Sequence, residues 1–121
     1  MAYPTNRPLN IVRVYAHAAD ISTAGSYFVP APCRGTIIFA GSMINNAITT
    51  ADDVITMEIN GTAVTGGGWT IATSGSAAGT FDSTTPTAAN KVNENDAIEF
   101  INSGASDTTC AAVFFADIRK Q

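Results

Sequence analysis

The stretch "ITTADDVITMEINGTAVTGGG", Ile48 to Gly68, decides the fold. Ile55, Met57 and Ile59 alternate with Thr56, Glu58 and Asn60, which is the period of a strand with one face buried. Asn60 and Gly61 follow, the pair that best tolerates the positive φ needed at both centres of a two-residue hairpin turn. The segment "TAV" then returns as the partner strand. Asp52 and Asp53, just before the alternation, read as turn residues, because Asp bonds its own backbone and accepts left-handed conformations. No side chain in this stretch is equipped to make or break a covalent bond, so its role is that of scaffold.

The same grammar runs through the rest of the chain. "NIVRVYAHA" alternates from Asn10, with Val12, Val14 and Ala16 on one side and Ile11, Arg13, Tyr15 and His17 on the other. "SYFV" is a short strand stopped by Pro30 and Pro32. "GTIIFAGSMI" is a strand with Ile38 and Ile44 on one side and Ile37, Phe39 and Met43 on the other. "WTIAT" puts Trp69, Ile71 and Thr73 on a common face, and "TFDSTTPTAANKV" reads as a short strand and a long loop. "NENDAIEFIN" turns into a strand with Ile98 and Phe100 inward. The final "TTCAAVFFADIRK" sends Cys110, Ala112, Phe114, Ala116 and Ile118 to one face and Ala111, Val113 and Phe115 to the other.

Composition agrees. The bulky apolar residues are Ile, Val and Phe with a single leucine, Leu9, a choice that fits pleated surfaces and not helices. The spacing predicts eight to ten short strands in one all-β domain over residues 10–121, an antiparallel β-sandwich of jelly-roll type. Residues 1–9, "MAYPTNRPL", hold Pro4 and Pro8 in a polar setting without a period and read as an extended N-terminal arm.

With 13% charged residues and a net charge of -4, the chain has little attraction for phosphates, which excludes nucleic acid as a partner. No run is long and apolar enough for a membrane span, and "MAYPTNRPLN" has neither the charged start nor the apolar core of a targeting signal; synthesis in a cytoplasm is expected. In that reducing compartment Cys33 and Cys110 are expected as small buried side chains and not as a disulfide.

Chemistry is sparse. His17, the one histidine, lies on the polar side of its strand with no nucleophile-elbow motif nearby, so a surface or interface role is expected and no catalytic residue is assigned. Cys33, Cys110 and His17 are scattered, without the close ligand pairs of a zinc site. Glu94, Asp96 and Glu99, with Asn93 and Asn95, offer oxygens but lack the calcium-loop pattern, and Asn93 to Asp96 read as a turn. Gly66 to Gly68 have no lysine and no following helix, so they form no phosphate loop. Trp69 could stack on a sugar, but its register with Ile71 places it in the core. Neither a metal nor a cofactor is expected, and the chain reads as a non-enzyme.

Apolar residues on both faces of several strands are the one feature beyond fold: Ile11 with Tyr15, Ile37 with Phe39 and Met43, Val113 with Phe115. A lone sandwich needs only its inner faces apolar, so the surplus predicts a homo-oligomer.

The segments "ADISTAGSYFVPAPCRGTI", "ITTADDVITMEINGTAV" and "KVNENDAIEFIN", in that order and followed by a strand ending "FFADIRK", resemble the small virion proteins of tailed bacteriophages known as head decoration or cement proteins. The resemblance spans most of the chain from about Asn10. It implies a jelly-roll subunit, commonly a homotrimer, on the outer surface of an assembled capsid where major capsid protein subunits meet. Arg7, Ile11, Tyr15, Phe39, Met43 and Phe115 are the residues expected at oligomer or capsid contacts, with the arm reaching a neighbouring subunit. Head-fibre, tail-tip and glycan- or receptor-binding modules built on the same sandwich form the alternative.

Overall fold

The computed structural model describes residues 10–121, so the arm 1–9 and its Arg7 lie outside the described residues. Ten strands follow one another: β1 (Ile11–Ala18), β2 (Gly25–Pro30), β3 (Gly35–Ile44), β4 (Asp53–Ile59), β5 (Thr62–Ala63), β6 (Trp69–Ile71), β7 (Phe81–Thr84), β8 (Lys91–Val92), β9 (Ala97–Asn102) and β10 (Ala112–Lys120). They form two antiparallel sheets, one ordered β1-β10-β3-β7 with β8 also on β3, the other β2-β9-β4-β5 with β6 also on β4. Counting β5 with β6, and β7 with β8, as interrupted single strands leaves eight. The first then lies beside the last and the second beside the seventh, the strand order of a jelly roll.

Strand alternation builds the core between the sheets. Ile37, Ala40, Ile44, Phe114, Ala116 and Ile118 of the first sheet meet Ile55, Met57, Ile71, Ile98 and Phe100 of the second, all of them buried. Phe100 stacks on Phe114 at 5.6 Å between ring centroids, and Trp69 stands edge-on to both at 6.3 and 6.4 Å. Such pairs add about 0.5–1.5 kcal/mol each beyond the area they bury. The Trp69 indole N–H donates to Ser42 Oγ of the opposite sheet at 2.9 Å, which satisfies two polar groups inside the core. Trp69 is therefore core, as its register implies.

The hairpin forms as its sequence requires: Ile59 pairs with Thr62, and Asn60 and Gly61 both have positive φ, 50° and 83°. Asn60 has a second task, because its Oδ1 accepts the Ala97 N–H at 2.8 Å and ties the turn to β9.

Two expectations need correction. Ile37 does not share a face with Phe39 and Met43. The β10–β3 register passes from Asp117 opposite Phe39 to Ile118 opposite Ile37, which leaves Ile38 as the extra residue of a β-bulge. That insertion inverts the parity of the strand, so Ile37 joins the core with Ile44. Asn90 stitches the irregular segment from the far side, accepting the Ile37 N–H at 2.8 Å and donating its amide to the Ile37 carbonyl at 2.7 Å.

Nor is Asp53 a turn residue. It opens β4 and is fully buried, its Oδ1 accepting Ser103 Oγ–H at 2.7 Å and the Gly104 N–H at 3.0 Å. Its Oδ2 has no hydrogen-bond partner, and burial pushes this carboxyl above its ordinary value despite the bonds to Oδ1. An acid with a raised folded pKa adds most stability below its unfolded value, about 3.9, and loses that contribution as pH rises through the folded value. We therefore expect Asp53→Asn, neutral at every pH and still able to accept at Oδ1, to flatten the decline of Tm as pH is raised from about 4 to 7. Asp53→Ala, which strands the donors of the Ser103–Ala105 turn, should cost about 1–3 kcal/mol. Thermal melts of both variants across that pH range decide the matter, and an Asp53→Asn curve parallel to wild type would contradict it.

Candidate functional site

The bulge and the alternation of β10 together fix what the first sheet shows to its outer side. Cross-strand partners place Arg13, Asp117 and Phe39 in one row; Tyr15, Phe115, Gly41 and Ser83 in the next; and His17, Val113, Met43 and Phe81 in the third. Aromatic rings gather there. Phe81 stacks on Phe115 at 5.6 Å with 17° between planes, and Phe39 lies 5.7 Å from Phe115.

Phe115 is only 4% exposed although it faces away from the core. Two features hold it flat. On Gly41, opposite it, a Cβ would collide with the Asp82 carbonyl and come within 3.0 Å of the Phe115 ring, so the absent side chain is the seat of the ring. Above, the Arg13 guanidinium lies 4.0 Å from the ring centroid, in cation–π contact. Arg13 is held there by a fork onto Asp117, Nε to Oδ1 at 2.7 Å and Nη2 to Oδ2 at 3.0 Å, and the hydrogen bonds to Asp117 raise the Arg13 pKa further.

Around this seat the face stays open. Tyr15 is 60% exposed, Met43 49% and Phe81 47%. With Arg13, Asn45, Val113 and Phe115 they line a shallow groove of about 300 Å³. Of the residues expected at contacts, Tyr15, Phe39, Met43 and Phe115 come together on this one face. Ile11, at the far end of β1 opposite Arg119, stands apart from the groove. Phe81 is the member that the sequence reading left out. Its strand, "FDST", is too short to show a period, and only the pairing with Met43 puts it on the face.

The second sheet's outer side has another character. Glu58 sits directly opposite Glu99, an arrangement of like charges that weakens a strand pair, and Phe28 and Val54 are its exposed apolar residues. Glu99 is thus separated from Asp96, which closes the 93–96 turn by accepting the Asn93 N–H at 2.7 Å. That bond, followed by the one involving Asn60, lowers the Asp96 pKa. Among the described residues no group of three or more His, Cys, Asp or Glu could hold a metal ion. His17 is exposed beside Val113. Both thiols are free: Cys110 is buried with its Sγ 3.3 Å from the Asn46 carbonyl, and Cys33 is half-buried against the core. No helix among the described residues is long and apolar enough to cross a membrane. A second concavity, between β5 and the 87–91 segment, is lined by Ile59 together with small and polar residues and a single lysine, Lys91.

Comparison with family models, with curated proteins and with solved structures yields no match to this chain.

The seat of Phe115 can be tested directly. Gly41→Ala should cost about 2–3 kcal/mol by overpacking against the Asp82 carbonyl and the Phe115 ring, seen as a fall in Tm at least about twice that of the control. Gly75→Ala is the control: its Cβ meets nothing, and its cost is confined to the positive φ of 78°, about 1 kcal/mol. Equal losses in the two variants would show that the ring does not need the space at Gly41.

Proposed function

We propose that this chain is a structural virion protein that decorates and stabilises a tailed-bacteriophage capsid, binding as a homo-oligomer, in trimeric form, between major capsid protein subunits on the outer surface of the head. The observation that carries the reading is the open aromatic face around Phe115. A sandwich of this size satisfies its own core with the inner faces alone, and a second apolar cluster with no layer over it is the mark of a contact surface. Burying what remains exposed of Tyr15, Met43 and Phe81 is worth about 1 kcal/mol for each side chain. Several such modest contacts made at once by linked subunits multiply through effective concentration. Binding that spans neighbouring capsomers opposes their separation and requires no chemistry.

The sequence resemblance to head decoration proteins supports a capsid as the larger particle, and the aromatic face supports assembly through this surface. The glycan-binding alternative calls for Trp69 or tyrosines exposed in a loop groove. Sugar stacking at Trp69 loses its support, because that indole is buried and its N–H is already bonded to Ser42, and the exposed Tyr15 lies on a sheet face and not in a loop.

The purified chain is expected to scatter light as a single oligomeric species at micromolar concentration, and to cosediment with assembled heads of the phage that encodes it but not with free coat protein. The triple variant Tyr15→Ser, Met43→Ser, Phe81→Ser changes only exposed side chains. It should keep its far-UV circular dichroism spectrum and a cooperative melt, at a Tm lowered by loss of the Phe81–Phe115 stack, while losing both oligomer and head binding. A monomeric wild-type chain, or a triple variant that still assembles, would overturn the reading.

A further inference from the structure

We infer that the end of the sandwich where the β1–β2 loop, the start of β4 and the β9–β10 loop meet is a binding site for one internal water molecule, held by Asp53 Oδ2, Asn102 Oδ1 and Ser106 Oγ. The water joins three segments through side chains alone, and the site is independent of how the chain assembles.

These three oxygens are the buried side-chain polar atoms that find no hydrogen-bond partner among the described residues. Their side chains are at most 2% exposed. A buried polar group left unpaired is costly, so three in one small domain call for a common partner. They are not scattered. Asn102 faces inward opposite Ile55, and the chain continues with the Ser103 N–H on the Val54 carbonyl at 3.0 Å and the Gly104 N–H on Asp53 Oδ1 at 3.0 Å. Asp53 is therefore the next inward position after Asn102 along the same pair of strands. Residues 103–105 wrap around it, since Oδ1 also accepts the Ser103 hydroxyl and the Ala105 N–H, and Ser106 comes next. The β1–β2 loop closes the enclosure. Asn102 Nδ2 donates to the Ile21 and Thr23 carbonyls at 2.9 Å each, and Gly104 lies so close to this loop that a Cβ would come within 2.2 Å of the Ala24 nitrogen.

Hydrogen-bond valence then selects the ligand. Ionised Asp53 can only accept, and its Oδ1 is already served by three donors. The Asn102 amide cannot be turned round, because two carbonyls fix its nitrogen, so its oxygen is a second acceptor in need of a donor. The Ser106 hydroxyl has one proton to give. Water supplies one O–H to Asp53 Oδ2 and one to Asn102 Oδ1, and accepts the Ser106 O–H on its own oxygen. Three bonds are the usual number for a buried water. A calcium ion fits worse: one carboxylate and two neutral oxygens fall short of the six to eight that it takes, about 2.3–2.6 Å away, and it offers the Ser106 proton no acceptor. An ammonium group fails on that last count too.

The first test reads the sign of a stability change in the full-length chain. If the Ser106 hydroxyl were merely stranded, Ser106→Ala would remove a buried unpaired group and leave Tm unchanged or raised. With a water to bond, the same substitution takes away one of its three partners, and Tm should fall by about 3–6 °C. The second test is a crystal structure of the wild-type chain that shows ordered solvent. It should place a single peak about 2.6–3.1 Å from all three oxygens. A Tm for Ser106→Ala equal to or above wild type would overturn the inference. So would a peak at calcium distances, or three oxygens that bond one another or meet no solvent.

Discussion

Two adjacent phenylalanines on β10 organise the molecule. Phe114 points inward and stacks on Phe100 of the opposite sheet; Phe115 points outward and is pressed onto the bare backbone of Gly41. Because β10 lies between β1 and β3, both rings sit near the middle of their sheet, one on each side. The inner ring belongs to a cluster with Trp69 and Tyr27, closed by the Trp69–Ser42 hydrogen bond. The outer ring belongs to a smaller cluster with Phe39 and Phe81, capped by Arg13. A strand can serve two apolar clusters in this way only because its side-chain period is two, and a slip of one residue would exchange them.

The rest of the first sheet is arranged to keep that register. The bulge at Ile38 lets β3 present Ile37 and Ile44 to the core while sending Phe39, Gly41 and Met43 outward over the same length. Asn90 satisfies the backbone where the ladder is interrupted. The fork from Arg13 to Asp117 locks β1 against β10 beside the outer ring. Its worth lies in position more than in energy, since a partly exposed ion pair contributes little by itself. With the guanidinium spread over the ring, the same pair shields one edge of the aromatic cluster and leaves the other edge open.

Most of the architecture could be read from the amino acids. Alternation marks β4 cleanly and β1, β9 and β10 through their inward-facing positions, and Asn60–Gly61 marks the hairpin, because these signals depend on neighbours in the chain. What depends on distant partners was hidden. Nothing local in "GTIIFAGSMI" reveals which of two consecutive isoleucines is extra, since either reading leaves large residues on both sides; the pairing with β10 settles it. Phe81 has too short a strand to declare a face. Asp53 resembles a turn residue until the Ser103–Ala105 segment, some fifty positions later, is seen to close over it. Four of the expected contact residues do meet on one surface, because apolar residues at outward positions of β1, β3 and β10 can be counted from the sequence alone. The juxtaposition of Glu58 and Glu99 could not be, as it requires the register of β4 against β9.

That the first strand pairs with the last has a consequence for biogenesis. The sheet carrying the aromatic cluster lacks its centre until β10 has been synthesised, so β1 and β3 must wait, without a common neighbour, for nearly the whole domain to follow. Closure between segments so far apart in sequence is entropically slow. A chain cut short before Ala112 lacks both rings of the Phe114–Phe115 pair and leaves the edges of β1 and β3 unpaired, a species prone to aggregation. The inner and outer aromatic clusters therefore form together, in the same late closure of β10 between β1 and β3.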